Sequence, residues 1–178
     1  MRIISGIYKS RIIKVNSKTD SIRPTTDRAR ETLFNLINNR MDLNGIVCLD
    51  LFCGSGSVGL ECISHGAAKC VFVDRDTSIV KNNVSILDAG LSSEIIRNDA
   101  IKFLQRSDGA AFGLIFADPP YKYDKYTELI NAAAKFKCIV IIEHSVNIDI
   151  PRELKTCIIL EKKIGITNFT FFDFRLNI

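Results

Sequence analysis

Ile46-Val47-Cys48-Leu49-Asp50-Leu51-Phe52-Cys53-Gly54-Ser55-Gly56-Ser57-Val58-Gly59 is the stretch that decides the fold. An apolar run broken only by Asp50 enters a loop that fits Gly-x-Gly-x-x-Gly at 54, 56 and 59, and Leu60 to Ser64 then read as a helix ending near Gly66. Strand, glycine loop and helix form the first unit of an open parallel sheet, where glycines let the backbone approach a ligand at the helix N-terminus. Alone, the loop also suits a dinucleotide enzyme, with Asp74 at the distance where an acid holds ribose hydroxyls. Asp50 argues otherwise. An acid directly before the loop repels a pyrophosphate and attracts an amino cation, such as the methionine end of S-adenosylmethionine.

The pattern repeats outward from this unit. Cys70 to Val73 reads as a strand closed by Asp74, Thr77 to Ala89 as a helix stopped by Gly90, and Glu94 to Arg97 as a strand ending at Asn98-Asp99. Ala100 to Arg106 is helical, Phe112 to Ala117 a fourth strand, Tyr126 to Phe136 a helix, and Cys138 to Ile142 a fifth strand. Thr156 to Lys162 and Phe169 to Arg175 offer two more. Such alternation predicts an α/β fold with a parallel sheet and helices on both faces. Three successive strands end in an acid, so Asp50, Asp74 and Asp99 share one sheet edge. There Asp50 takes the amino group, Asp74 the ribose, and Asp99 accepts from an adenine amine while the Ala100 N–H donates to the ring. Asp76 is an alternative to Asp74.

The fourth strand ends in Asp118-Pro119-Pro120-Tyr121. Two prolines donate no N–H and push Asp118 out of the helical region, leaving carbonyls with few local partners. A carboxylate, an acceptor carbonyl and a stackable ring side by side suit a flat base presenting an exocyclic amine. A proline turn after a buried strand is the competing account.

Residues 1 to 40 hold nine Lys/Arg against three Asp/Glu, while the remaining 138 hold fifteen against seventeen. A cationic segment on a nearly neutral core reads as a footprint for a polyanion, or as a solvated basic surface. Within it, Arg2 to Gly6 and Arg11 to Val15 predict a short basic hairpin with Lys9 near its bend. Arg23-Pro24-Thr25-Thr26-Asp27 then leads into a helix carrying Ala29, Leu33, Phe34, Leu36 and Ile37 on one face. Arg23, Arg28 and Arg30 are expected near its start, free for phosphate capture or for ion pairs with Asp27 or Glu31. No apolar run reaches the length of a membrane span and the start lacks a signal-peptide pattern, so a cytoplasmic chain is expected. The six cysteines lack a Cys-x-x-Cys pair and both histidines lie far from metal-ligand spacing, so buried reduced thiols are expected and metal is not.

These residues resemble a known family. Asp50-x-Phe52-x-Gly54-x-Gly56 with Asp118-Pro119-Pro120-Tyr121 is similar to the Class I S-adenosylmethionine-dependent amino-methyltransferases. Met1 to Gly6, Arg23 to Glu31 and Leu49 to Gly56 together resemble the RsmD family, with Cys53 and Ser57 as small variants in the loop. The resemblance spans nearly the whole chain. It implies a Rossmann-like, seven-stranded sheet with the last strand antiparallel, arranged as one domain over 1–178, with residues 1–22 as an RNA-contacting hairpin extension and 23–178 as the catalytic core. The implied reaction is methylation of N2 of a guanine in 16S ribosomal RNA or the small ribosomal subunit, by a monomer. Asp118, Pro119, Pro120 and Tyr121 are then catalytic. Asp50, Phe52, Gly54, Ser55, Gly56, Asp74, Asp99 and Ala100 hold S-adenosylmethionine, and Arg2, Lys9, Arg11, Arg23, Thr25, Arg28 and Arg30 contact RNA. Alternatives are an adenine-N6 methyltransferase acting on DNA or RNA, a nicotinamide oxidoreductase, and a non-catalytic RNA-binding module.

Overall fold

The computed structural model of the chain describes residues 1–15, 27–107 and 111–175. Seven strands, β1 (Val47–Leu51), β2 (Lys69–Asp74), β3 (Ser93–Arg97), β4 (Leu114–Ala117), β5 (Ile139–His144), β6 (Ile158–Ile164) and β7 (Thr167–Asp173), form one sheet in the order β3-β2-β1-β4-β5-β7-β6. The first five are parallel, and β7 runs antiparallel between β5 and β6. The central strands are apolar almost throughout because helices cover both faces.

Period-2 alternation assigns each strand residue to a face. Cys48, Phe72, Phe116 and Ile141 pack under α1 (Asp27–Asn38), α2 (Ser57–Ser64) and α3 (Ser78–Leu87). Leu49, Leu51, Val73, Ile115 and Ile142 pack under α4 (Ala100–Arg106) and α5 (Tyr126–Ala134). Asp50 alternates with Leu49 and Leu51, so it sits on the α2 face. All six cysteines are buried and unpaired. Among the described residues no helix is long and apolar enough to cross a membrane.

Several boundaries move by a few residues. The helix expected to stop at Gly90 ends at Leu87, capped by Asp88, which takes the left-handed conformation at φ 56°, a role its short side chain tolerates. The last two strands turn at Gly165-Ile166, with Gly165 at φ 64°, so both begin about two residues from where composition placed them.

The N-terminal residues do form an antiparallel hairpin, with Arg2 bridged to Ile12, Ile3 N–H donating to Arg11 carbonyl at 2.9 Å and Ile13 N–H to Met1 carbonyl at 3.0 Å. It is docked along α2 and α3. The buried Glu61 carboxylate accepts from Ile4 and Ser5 N–H at 2.9–3.1 Å, and Ser64 Oγ donates to the Ser5 carbonyl. A Cβ on Gly6 would sit 1.7 Å from the Ser64 carbonyl oxygen, so only glycine permits this approach. His65 Nε2 meets Ser5 Oγ at 2.5 Å and also faces Glu61 at 3.5 Å. With the acid on the same ring nitrogen as the serine, this trio lacks the geometry of a hydrolase relay and acts as a clasp. Further along, the fully buried Asn83 of α3 accepts from Lys14 N–H at 2.7 Å and donates to the carbonyls of Lys14 and Ser55, both at 2.8 Å. The hairpin bend thus lies at the C-terminal end of α2, and the chain returns at Lys14 to the glycine loop.

One expectation on this segment is corrected. Arg30 is not a surface residue: it is 0% exposed, donating to the Arg2 carbonyl at 2.7 Å and to Asp27 at 2.8 Å. Burial lowers its pKa, opposed by Glu61 and Asp27. The α1 stripe of Ala29, Leu33, Phe34 and Ile37 carries Arg30 inward because a helix residue adjacent to that stripe shares its face.

Candidate active site

The carboxyl ends of β1, β2, β3 and β4 deliver their acids to one edge of the sheet. Asp50 is 3% exposed, and its Oδ2 accepts from the Gly59 N–H at 2.9 Å in the first turn of α2. The residue that would normally cap that helix is Gly56, which has no side chain to do so, and Asp50 caps it from the neighbouring strand. Burial pushes the Asp50 carboxyl well above the usual carboxylate range, the Gly59 N–H opposes the shift, and the charges of Asp118 and Asp74 add to it. An ammonium placed against Asp50 would relieve both the burial and the repulsion.

Each glycine of the loop answers a different constraint. Gly54 and Gly56 have φ of 51° and 75°. A Cβ on Gly54 would meet nothing closer than 4.0 Å, leaving its surface open for a ligand, while one on Gly59 would lie 2.3 Å from the Phe72 ring and 2.5 Å from Cys70 Sγ. The last glycine therefore lets α2 press onto the sheet. Phe52 also takes the left-handed region, at φ 57°, a strained choice for a bulky residue that turns its ring toward the β4 loop.

Asp74 accepts from Gly54 N–H at 2.9 Å through one oxygen and from Asp76 N–H at 3.0 Å through the other, leaving further lone pairs for a diol. Asp76 instead accepts from Ser78 N–H and is turned to α3. Asp99 caps α4 by accepting from Lys102 N–H at 3.1 Å and pairs with the exposed Arg75 at 2.7 Å. Burial there acts to raise its pKa, but the bonds from Arg75 and Lys102 win and hold it below the usual range. Ala100 is buried directly behind it, and the Ser55 carbonyl is held by Asn83.

Beside these lies the fourth strand end. Asp118 is half-buried, its N–H reaching the Leu51 carbonyl at 3.4 Å, and Pro119 is buried. The Pro120 carbonyl is taken by the Tyr123 N–H at 2.8 Å, whereas among the described residues nothing donates to the Pro119 carbonyl. Tyr121 is 70% exposed. The turn that leaves Tyr121 outside returns Tyr123 inward, edge-on to Phe52 with ring centroids 5.2 Å apart and edge-on to Tyr126 at 5.2 Å. The Tyr123 hydroxyl is buried without a hydrogen-bond partner among the described residues, and burial, with Asp99 and Glu128 next, raises its pKa.

Tyr123 and Asn83 are the site residues that sequence reasoning missed. Asn83 had a legible signal: Val80, Asn83, Val84 and Leu87 are all buried along α3, so a polar residue stands at a core position of the helix. Tyr123 had none, because its orientation depends on the turn at Pro120.

Of the basic residues expected to meet RNA, Arg2 pairs with Asp27 at 3.4 Å, Arg11 donates to the Ile86 carbonyl at 2.6 Å, and Lys9 and Arg28 are exposed. Arg23 and Thr25 lie outside the described residues.

The arrangement fits S-adenosylmethionine and not a dinucleotide. The first-turn N–H that a pyrophosphate would use is already held by Asp50, so an anion there meets a buried carboxylate. The edge thus brings together three carboxylates in different settings: Asp50 buried, Asp74 bonded through both oxygens, and Asp99 paired with Arg75.

Comparison with known proteins identifies the family and the fold. The profile of the family described as "Conserved hypothetical protein 95" matches residues 1–173. A Bacillus subtilis protein named "Putative rRNA methyltransferase YlbH" is 34% identical over 98% of this chain and 100% of its own length. "Ribosomal RNA small subunit methyltransferase D" of Escherichia coli K12 is 35% identical over 74% of this chain and 65% of its own length. A solved Escherichia coli structure titled "Putative methyltransferase yhhF" superposes with a TM-score of 0.80 at 29% identity, covering 97% of this chain and 96% of that one. The chain belongs to the conserved hypothetical protein 95 family, the RsmD family of methyltransferases that its motifs resemble.

Proposed function

We propose that this chain is an S-adenosylmethionine-dependent ribosomal RNA methyltransferase that acts on the exocyclic N2 amine of a guanine in 16S ribosomal RNA. The observation that carries the reading is the sheet edge itself: a buried acid before the glycine loop, with Asp118 and the Pro119 carbonyl on the adjoining strand. The names of the relatives support ribosomal RNA as the substrate class. Asp50 would hold the cofactor's amino group, Asp74 its ribose, and Asp99 with Ala100 its adenine; when bound, the cofactor supplies an electrophilic methyl group.

The chain's own residues do the rest. A guanine N2 lone pair is delocalised into the ring and is a poor nucleophile. Asp118 carboxylate and Pro119 carbonyl each accept one N–H, which favours a pyramidal nitrogen with its lone pair directed at the methyl. Tyr121, exposed at the rim, stacks on the base once it leaves its helix. The methylated nitrogen is strongly acidic and gives its proton to Asp118 or to water.

The test is incubation with methyl-labelled S-adenosylmethionine and small ribosomal subunits lacking the modification, followed by nucleoside analysis. Label in N2-methylguanosine is the expected result. Label in N6-methyladenosine would keep the mechanism and discard guanine, and no label on subunits, naked RNA or DNA would sink the enzymatic reading.

A further inference from the structure

We infer that the tip of the β6–β7 hairpin, Lys162 and Lys163 with Ile166, is a second RNA-binding surface, which grips the backbone beside the target base from the side opposite the cofactor. The inference rests on the ribosomal RNA reading above, and it adds a surface that neither the basic N-terminal segment nor the motifs contain.

Strand register carries it. β4 and β5 pair at Ala117 and Ile142, and continuing that ladder by one residue places Asp118 beside Glu143. Glu143 pairs with Phe169, and Phe169 pairs with Lys162. The next row runs from Pro119 through His144 and Asn168 to Lys163. Lys162 and Lys163 therefore lie in the same two rows as the reacting residues, on opposite faces of the edge strand beside its turn, three strand spacings away, or about 14 Å. That is the length of about four stacked nucleotides at ~3.4 Å each.

The local chemistry suits a polyanion. Lys162 and Lys163 are exposed, and neither is in an ion pair among the described residues, whereas Lys69, Arg75 and Arg175 are paired with acids. Ile166 is 74% exposed at the turn. Lys122 and Lys125, in the loop after Tyr121, are also exposed, beside exposed Asp124 and Glu128, and Glu161 is exposed next to Lys162. The other half of the edge, at the ends of β1, β2 and β3, carries Asp50, Asp74 and Asp99. The cofactor half of the edge thus carries three carboxylates, with Arg75 on Asp99, and Lys162 and Lys163 stand at the far end of the rows with no ion pair among the described residues.

Lysines on an edge strand have a second use, in blocking pairing with another sheet. That need runs along all of β6, yet its first half, Ile158-Ile159-Leu160, carries no lysine and leaves Ile159 36% exposed. The lysines stand only at the end near Asp118.

The test compares wild type with Lys162→Ala/Lys163→Ala and Lys162→Arg/Lys163→Arg. Binding to deproteinised small-subunit RNA is measured across a salt series, with S-adenosylhomocysteine affinity and monodispersity as controls. The alanine pair should bind RNA about tenfold more weakly at moderate salt and lose about 1.4 from the log–log salt slope. Cofactor affinity should stay within twofold, and the arginine pair should bind as wild type. An unchanged slope and affinity would overturn the inference, and self-association of the alanine pair at unchanged slope would assign the lysines to edge protection. If wild-type protein shows no salt-dependent RNA binding at all, the ribosomal RNA reading falls and this surface with it.

Discussion

Asp50 serves the fold and the site with a single carboxylate. It caps α2 through Gly59 and is buried where the proposed ammonium would bind. Because its pKa is raised in the ligand-free protein, its contribution to stability is present while it is protonated and is lost as pH rises through that raised value. Binding an ammonium reverses the preference and expels the proton. Affinity for S-adenosylhomocysteine should therefore weaken as pH falls below the raised pKa, well before ordinary carboxylates titrate, and Asp50→Asn should bind weakly with a flat profile; calorimetry across pH measures both. At Asp118 the expectation is a clean separation of binding from transfer. Asp118→Ala should lower the methylation rate by about 10²-fold or more while cofactor affinity stays within twofold, and a matching loss of affinity would move Asp118 out of the reacting position. Tyr121 tests stacking: Tyr121→Phe should keep most activity and Tyr121→Ala should lose about 1–3 kcal/mol of base binding, read from KM for the RNA.

At the scale of elements, α3 joins two parts of the molecule that the chain keeps far apart. Asn83 ties Lys14, the last stretch of the hairpin extension, to Ser55 in the glycine loop. Asn83→Ala would remove the partner of the Lys14 N–H and of the Lys14 and Ser55 carbonyls, part-buried groups, a loss of about 1–2 kcal/mol in unfolding free energy by denaturant titration. It should also weaken S-adenosylhomocysteine binding, because the Ser55 carbonyl no longer fixes the loop; an unchanged affinity in a destabilised protein would confine Asn83 to packing. The α2 helix imposes a similar demand at Gly59, where alanine would collide with Phe72 and Cys70.

Across the whole molecule, the proposed cofactor site is buried at Asp50 whereas Lys9, Arg28, Lys162 and Lys163, proposed to bind RNA, are exposed. Screening acts on exposed charges much more than on buried ones. Raising salt from physiological to about threefold higher should weaken RNA binding many-fold and leave S-adenosylhomocysteine affinity within about twofold. Charge reversal at Lys9 and Arg28 should reduce the RNA salt slope while sparing the cofactor, which fluorescence anisotropy and calorimetry would separate.

The strand and helix order was legible because it is written in local periodicity: apolar runs, turn glycines and acids at or near the ends of the first four strands are properties of neighbours in the chain. So was the placing of Asp50, Asp74, Asp99 and the Asp118 to Tyr121 stretch at one sheet edge, since residues at or just past a strand's carboxyl end lie there whatever the strand order. What the chain could not disclose depends on partners distant in sequence. Arg30 carries a charge that composition assigns to the surface, and only the hairpin packed over α1 takes it inside. Asn83 at a core position made sense only once Lys14 and Ser55 were brought against it, and Tyr123 turned inward only because the Pro120 turn allowed it. The role proposed for the two hairpin-tip lysines rests on a register crossing three strands. Periodicity and spacing determined the elements and the acids at their ends; the tertiary structure decided which charges are buried, paired or free, because burial and pairing are set by contacts between residues far apart in the chain.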